Sequence, residues 1–131
     1  MNRPRIVIAE DHPSTQEVLR QMLTPGYEVV AVVGDGESAV EAAETQQPDI
    51  LLLDISLPFL SGIAVARKVK KTYPEMRIVF VTAHAERAYL REAFRAGANG
   101  YVVKRALVAE LAPSLDAALH GQTYRSPSVA S

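Results

Sequence analysis

The chain of 131 residues contains no cysteine, which excludes disulfide bonds and thiolate chemistry. No apolar run approaches the ~18 residues of a membrane span, and the first residues lack the apolar segment of a signal peptide. Neither sign of charge dominates, because 14 basic residues face 15 acidic ones. These absences predict a cytoplasmic protein of one domain that binds neither membranes nor nucleic acid through bulk charge.

What the sequence does contain is a regular alternation of strand-like and helix-like segments. Apolar runs are separated by amphipathic stretches, in which apolar residues recur at the spacing of one helix face. This order predicts an α/β fold with a single doubly wound, five-stranded parallel sheet and helices on both faces. The predicted strands span residues 5–9, 27–33, 49–53, 77–82 and 99–103.

Local signals predict how the first helix begins and where the domain ends. Pro13 suits the first helical position, and residues 14–17 (Ser-Thr-Gln-Glu) match the capping box. Residues 121–131 (GQTYRSPSVAS) are small and polar, which predicts a linker or frayed end. We therefore expect a domain over residues 4–121, followed by a tail over residues 122–131.

Polar side chains stand where the predicted strands end. Glu10 and Asp11 follow the first strand, Asp54 follows the third, Thr82 ends the fourth and Lys104 follows the fifth. In a sheet of this kind, ligands bind outside the carboxyl ends of the strands. Three neighbouring carboxylates require a cation, and oxygen ligands suit Mg²⁺ or Mn²⁺. With a lysine and a hydroxyl beside them, the pattern favours phosphoryl chemistry with a carboxylate as the nucleophile.

Each of these residues taken alone has an ordinary structural interpretation. An acidic residue after a strand is usually a helix cap or a solvated charge, as Asp11 could be. A lysine at a strand end, such as Lys104, is usually solvated, and a hydroxyl such as that of Thr82 usually belongs to the core. Their joint occurrence at the ends of four separate strands favours a site.

Four motifs make the sequence recognisable, and they occur in order on the expected elements. They are AEDH at residues 9–12, PDILLLDISLP followed by Gly62 at 48–62, VTAH at 81–84 and AGANGYVVK at 96–104. Over residues 4–121 the chain resembles the CheY-like receiver domain of bacterial two-component response regulators. EDHP and GYVVK are most similar to the NarL/FixJ subgroup. The resemblance implies a flavodoxin-like (βα)5 fold with strand order 2-1-3-4-5.

The resemblance also implies the roles of individual residues. Asp54 is the phospho-acceptor, supplied by a sensor histidine kinase or a small acyl phosphate. Asp11, Asp54 and the backbone carbonyl of Ser56 would bind Mg²⁺ directly, and Glu10 would act mainly through water. Lys104 would pair with a phosphoryl oxygen.

Further positions are expected to transmit or time the signal. Thr82 would bind another phosphoryl oxygen, after which the Tyr101 ring turns inward. Ser56 and His84 flank the phosphate and would tune its lifetime. The expected output face comprises the fourth helix, fifth strand and fifth helix, residues 86–119. Phosphorylation-dependent homodimerisation through this face is the expected readout. The alternative dimerisation surface is the face of the first and fifth helices.

The implied function is a phosphorylation-dependent signalling switch, not an enzyme beyond weak autophosphorylation and autodephosphorylation. It would control transcription through a DNA-binding domain that lies outside this chain, with the tail as the start of a linker. The alternatives are a stand-alone receiver that acts by protein–protein interaction, a phosphorelay intermediate and a receiver-like module that is never phosphorylated.

Two unrelated classes fit the sequence less well. A haloacid dehalogenase-type phosphatase needs D-x-D-x-T, but Ile55-Ser56-Leu57-Pro58 follows Asp54. A flavodoxin-like cofactor binder needs a phosphate loop where Glu10-Asp11 would repel phosphate. The chain alone is not expected to bind DNA, because its densest basic cluster, within residues 67–71, spreads over the outer side of a helix.

Overall fold

The structure, a computed structural model, describes residues 3–129. In that part of the chain, strands and helices alternate as the apolar and amphipathic segments predict. The strands are β1 (Arg5–Ala9), β2 (Glu28–Val33), β3 (Ile50–Leu53), β4 (Arg77–Thr82), β5 (Gly100–Val103) and β6 (Tyr124–Arg125). The helices are α1 (Pro13–Leu23), α2 (Gly36–Gln46), α3 (Gly62–Thr72), α4 (Arg87–Arg95) and α5 (Leu107–Leu119), with a short 3₁₀ turn at Lys104–Ala106 before α5.

The strands form one parallel sheet in the order β2-β1-β3-β4-β5-β6. The predicted α/β class, the parallel pairing and the order 2-1-3-4-5 of the first five strands are confirmed. The prediction of five strands is wrong, because β6 adds a sixth strand at the edge beside β5.

β6 arises from the polar tail, for which we expected a linker or frayed end. The Tyr124 amide donates to the Asn99 carbonyl at 2.9 Å, and the Ser126 amide donates to the Tyr101 carbonyl at 2.8 Å. The Ser126 side chain is buried. This strand is held by backbone hydrogen bonds with no apolar run of its own, so composition gave no sign of it. The domain boundary at residue 121 stays a prediction, and residues 130–131 lie outside the described part.

The sheet is covered on both faces, which explains why its strands are apolar at nearly every position. In β1, Val7 packs into the cluster on the side of α2, α3 and α4. The neighbouring Ile6 and Ile8 pack into the cluster on the side of α1 and α5. Successive side chains of a strand point to opposite faces. Only the strand ends are therefore free for polar groups.

The first helix begins two residues earlier than the predicted capping box requires. Pro13 occupies the first turn as predicted, but the N-cap is His12, whose side chain makes no capping hydrogen bond. Ser14 lies inside the helix, so the predicted capping box is wrong. A residue before proline disfavours helical dihedrals, and His12 accordingly has extended values of φ −88° and ψ 116°.

Gly62, the first residue of α3, holds that helix against the segment that carries Asp54. The Gly62 amide donates to the Ile55 carbonyl at 2.8 Å. A β-carbon at Gly62 would overlap the backbone carbonyl oxygen of Asp54. Rigid backbone cannot yield as a flexible side chain would, so this position requires glycine.

The substitution Gly62→Ala should lower the free energy of unfolding by at least about 2 kcal/mol, because α3 must shift away from Asp54. Gly26→Ala is the matched control, since a β-carbon there meets no atom within 4 Å, and it should change stability by less than about 0.5 kcal/mol. Urea unfolding of the three proteins measures both values. Equal stabilities of the two variants would contradict the close approach of α3.

Candidate functional site

The strand register brings the predicted polar residues to one edge of the sheet. Ala9 of β1 pairs with Leu53 of β3, so the residues that follow, Glu10 and Asp54, leave the sheet side by side. The Asp54 amide donates to the Ala9 carbonyl at 3.0 Å. On the other side, Thr82 pairs with Val103, which places Lys104 at the same edge. The predicted convergence of strand ends is confirmed.

Lys104 bridges two buried carboxylates. Its Nζ lies 2.8 Å from Glu10 Oε1 and 2.9 Å from Asp54 Oδ2. The Glu10 and Asp54 side chains are 2% and 4% exposed, and that of Lys104 is 21% exposed. Burial alone would lower the pKa of the Lys104 ammonium, but its contacts with Glu10 and Asp54 outweigh burial and raise that pKa. The lysine is therefore held in its charged form.

The same edge gathers a group of possible metal ligands. Glu10, Asp11, His12 and Asp54 each offer an atom, and these atoms lie within 4.8 Å of one another. Two buried oxygens there, Glu10 Oε1 and Asp11 Oδ1, have no well-aligned hydrogen-bond donor in the described structure, despite the short Glu10–Lys104 contact. Buried acceptors without donors, in a set dominated by carboxylate oxygens, fit a hard divalent cation such as Mg²⁺ or Mn²⁺.

His12 is the member of this group that sequence reasoning interpreted only as a polar residue at a helix start. Its Nδ1 lies 2.9 Å from Glu10 Oε2 and 3.2 Å from Asp11 Oδ1, and its amide donates to Glu10 Oε2 at 2.9 Å. Its position directly after Glu10-Asp11 was the available signal. The imidazole thus contacts Glu10 Oε2, whereas Lys104 contacts Glu10 Oε1.

A contact between two loops closes the other side of Asp54. The Ser56 amide lies 3.3 Å from Asp54 Oδ1 and donates to it. Ser56 Oγ and His84 Nε2 are 2.8 Å apart and hydrogen-bonded. Ser56 lies in the loop after β3 and His84 in the loop after β4. The two residues predicted to flank a phosphate therefore touch each other, which the sequence did not indicate.

His84 also connects Thr82 to Tyr101. The His84 amide donates to Thr82 Oγ1 at 3.3 Å, and the Tyr101 hydroxyl donates to the His84 carbonyl at 2.9 Å. The Tyr101 ring is fully buried, so its side chain already points inward. Burial, with smaller effects from the charges of Glu86 and Asp54, raises the pKa of the Tyr101 hydroxyl well above its ordinary value. The hydroxyl thus stays a donor to the loop.

The histidine ring extends this connection to α4. It stacks on Tyr89 with a centroid separation of 4.2 Å and an interplanar angle of 29°. Tyr89 belongs to the first turn of α4. A movement of the loop after β4 would therefore be felt by α4 through the stack and by β5 through Tyr101.

The sequence profile of the family described as response regulator receiver domain matches residues 6–116. The chain belongs to the response regulator receiver domain family. It is 32% identical over 130 residues to the transcriptional regulatory protein DegU of Brevibacillus brevis. That alignment covers 98% of this chain and 55% of DegU. The receiver domain therefore spans about half the length of this curated relative.

Solved structures agree with the assignment. A LuxR-family two-component response regulator from Aurantimonas sp. SI85-9A1 superposes with a TM-score of 0.92 at 35% identity, over 98% of this chain and 93% of that one. The signal receiver domain of the response regulator NarL from Mycobacterium tuberculosis gives 0.85 at 29% identity, over 93% of this chain and all of that one. These neighbours confirm the predicted receiver fold and are consistent with the NarL/FixJ subgroup.

Over residues 3–129, no helix combines the length and apolarity needed to cross a membrane. The longest, α5, has 13 residues, whereas a span needs about 20.

Replacing the bridging lysine tests the electrostatics of the site. In the presence of a metal chelator, Lys104→Met should lower the free energy of unfolding by about 2 kcal/mol. This loss is smaller than that expected on breaking a fully buried ion pair, because Lys104 is partly open to water. Added Mg²⁺ should recover part of that loss, since a cation again separates the carboxylates. Lys71→Met, at an exposed lysine of α3, is the control, and chemical unfolding is the measurement. An unchanged stability of Lys104→Met in chelator would show that the carboxylates do not depend on the lysine.

Proposed function

We propose that this receiver domain is a phosphorylation-dependent signalling switch and that Asp54 accepts the phosphoryl group. One observation carries the proposal: a buried carboxylate at the carboxyl end of a central strand contacts a lysine at 2.9 Å and neighbours two further acidic residues. A lone acidic residue in a core is costly. Here the surroundings hold Asp54 in place and close to groups that can bind phosphoryl oxygens.

The reaction begins with a lone pair on an Asp54 carboxylate oxygen attacking the phosphorus of a phosphohistidine on a partner kinase, or of a small acyl phosphate. The new O–P bond forms as the P–N bond, or the P–O bond of the acyl phosphate, breaks. The electron pair leaves with the donor; the imidazole nitrogen then takes a proton from solvent, whereas the acyl carboxylate leaves as an anion. Lys104 offsets the charge on the phosphoryl oxygens.

The residues that would hold the divalent cation are Asp11, Asp54 and the Ser56 carbonyl, with Glu10 acting mainly through water. Mg²⁺ bound there would offset charge that develops on the transferred group. His12 holds Glu10 in place, and Lys104 separates Glu10 from Asp54 until the phosphoryl group arrives. Mn²⁺ suits the same oxygen ligands.

Signal output follows from the contacts of the loop after β4. The Thr82 hydroxyl would bind a phosphoryl oxygen. In the present structure the same hydroxyl accepts a hydrogen bond from the His84 amide, so phosphorylation would change that contact. The contacts of His84 with Tyr101 and Tyr89 would carry that change to the face formed by α4, β5 and α5, residues 86–119. Homodimerisation through this face is the proposed readout, with the face of α1 and α5 as the alternative.

For the longer protein we infer transcriptional control through a DNA-binding domain, with a sensor histidine kinase as the phosphodonor. The predicted tail, residues 122–131, would then lead into a linker beyond β6. The resemblance to DegU, of which this chain spans about half, supports that inference. A stand-alone receiver or a phosphorelay intermediate remains the second candidate. The cytoplasmic location, the absence of direct DNA binding and the weak autophosphorylation and autodephosphorylation stay predictions.

Intact-mass measurement after incubation with acetyl phosphate and Mg²⁺ tests the acceptor. The parent protein should gain one phosphoryl group, and Asp54→Asn should gain none because the amide is not a nucleophile here. Asp49→Asn is the matched control, since Asp49 precedes the same strand at its opposite end. An undiminished adduct in Asp54→Asn would overturn the assignment.

The contact between Ser56 and His84 predicts a role in the lifetime of the phosphorylated state. Because this hydrogen bond joins two loops beside Asp54, its loss should admit water to the acyl phosphate. His84→Ala should therefore lose its phosphoryl group several-fold faster than the parent, as followed by mass over time. His120→Ala, at an exposed histidine at the end of α5, should match the parent. A phosphoryl lifetime in His84→Ala equal to the parent's would remove His84 from the tuning residues.

A further inference from the structure

The segment after α5 is fastened across the outer edge of β5. At the end of α5 the chain turns back at Gly121, whose positive φ of 72° is the left-handed conformation that favours glycine. The Gln122 amide closes this turn by donating to the Ala117 carbonyl at 2.8 Å. The chain then runs along β5 as β6, so the open edge of the sheet belongs to β6 and not to β5. We call residues 121–129 the tail strap.

Two contacts that hold the tail strap come from residues of the proposed switch or next to it. The Ser126 amide donates to the Tyr101 carbonyl at 2.8 Å, while the hydroxyl of the same tyrosine donates to the loop after β4. Arg105 directly follows Lys104 and donates to the Ser128 carbonyl at 3.1 Å. The tail strap is therefore anchored on the strand that carries Tyr101 and on the turn that carries Lys104.

The packing of the tail strap is sparse. β6 has two residues, and the apolar side chains that the strap packs on the domain are the half-buried Tyr124 and Val129. Its buried residue, Ser126, is polar. Segments with few buried apolar contacts open at a lower free energy than the core strands. The tail strap can thus detach while the other five strands stay folded.

Charge also opposes the docking of the tail strap. Arg125 of β6 lines a groove whose other basic residues all belong to α4: Arg87, Arg91 and Arg95. Over residues 3–129, Arg87, Arg91 and Arg125 form no salt bridge, so the repulsion between the two elements is not balanced there. Backbone hydrogen bonds hold the tail strap against this repulsion, and a small change at its anchors is sufficient to release it.

We propose that the tail strap is an autoinhibitory cover, which occupies the β5 edge until phosphorylation releases it. This inference rests on the proposed function, in which Lys104 turns from Glu10 to a phosphoryl oxygen on Asp54. That movement would shift the turn that carries Arg105, and the loop after β4 would shift Tyr101. Both anchors of the tail strap would then change together.

Release of the tail strap would complete the output face. With β6 docked, the backbone donors and acceptors at the outer side of β5 are paired with the strap. Once β6 leaves, this edge is open, and an open edge favours contact with another chain. The tail strap would therefore keep the unphosphorylated protein from homodimerising through α4, β5 and α5, and it would couple the phosphate to the segment that follows α5.

Amide hydrogen exchange of the whole chain, followed by NMR, tests the release. With Mg²⁺ alone the Ser126 amide should exchange slowly, because it is hydrogen-bonded to Tyr101. Addition of beryllofluoride should speed that exchange about tenfold or more, whereas the amides of the buried strand β3 should stay protected. Unchanged protection of Ser126 together with shifts at Tyr101 would overturn the tail strap and leave the proposed switch intact.

The variant Ser126→Pro tests whether the tail strap restrains dimerisation. Proline removes the amide that donates to Tyr101, so the unphosphorylated variant should homodimerise several-fold more tightly than the parent in sedimentation equilibrium. Thr123→Pro is the matched control, because the amide of the exposed Thr123 makes no hydrogen bond within residues 3–129. Equal dimerisation of the two variants would contradict the proposal.

The variant Arg125→Glu should act in the opposite direction. Glutamate would be attracted to the arginines of α4, so the tail strap should dock more firmly and the Ser126 amide should exchange several-fold more slowly with beryllofluoride present. Lys71→Glu makes the same change of charge at an exposed position of α3 and should match the parent. Exchange in Arg125→Glu that is no slower than in Lys71→Glu would also overturn the proposal.

The acetyl phosphate adduct on Asp54 separates this proposal from that of phosphorylation. All four variants should form the adduct as the parent does, because none of the changed residues lies among Glu10, Asp11, Asp54 and Lys104. Absence of the adduct in the parent would overturn the proposed switch itself. A normal adduct with a tail strap that stays protected would overturn the autoinhibitory cover alone.

Discussion

The contact of one lysine with two buried carboxylates is the constraint on which this receiver domain depends. Glu10 and Asp54 would repel each other in a nearly water-free position, and Lys104 lies within 2.9 Å of both. The parallel register of β1, β3, β4 and β5 makes the arrangement possible, because it delivers the three side chains to one edge. In each proposed step of phosphorylation, Glu10, Asp54 and Lys104 change their charged partners. The charge balance among these three side chains therefore also governs the chemistry of the site.

A series of short side-chain contacts connects that edge of the sheet to the surface. These contacts join separate loops and do not follow the backbone. Ser56 joins the loop of the acceptor to His84, and His84 contacts both Tyr101 and Tyr89. Tyr101 is a strand residue, and its carbonyl accepts from Ser126 of the tail. The same loop is thus linked to α4, to β5 and, through backbone pairing, to the segment that follows α5.

Sequence reasoning predicted the sheet and most of the site because both depend on simple periodicity. Buried strands are apolar on both faces, so a polar residue directly after each strand stands out, as Asp54 and Lys104 do. What it missed depends on tertiary placement. The strand β6 consists of polar residues paired through their backbone. The capping box at Ser14 does not form, because Pro13 restricts the dihedral angles of His12, and His12 is the N-cap instead. The contact of Ser56 with His84 joins residues far apart in the chain and leaves no local pattern.

We propose that charge at Asp54 is transmitted to α4 and β5 through the loop after β4. Amide NMR spectra of the protein with Mg²⁺, before and after addition of beryllofluoride as a phosphoryl mimic, test this transmission. Shifts are expected at Tyr101 and throughout residues 83–96, in addition to those around Asp54. Shifts confined to the loops next to Asp54, with α4 and Tyr101 unchanged, would contradict it.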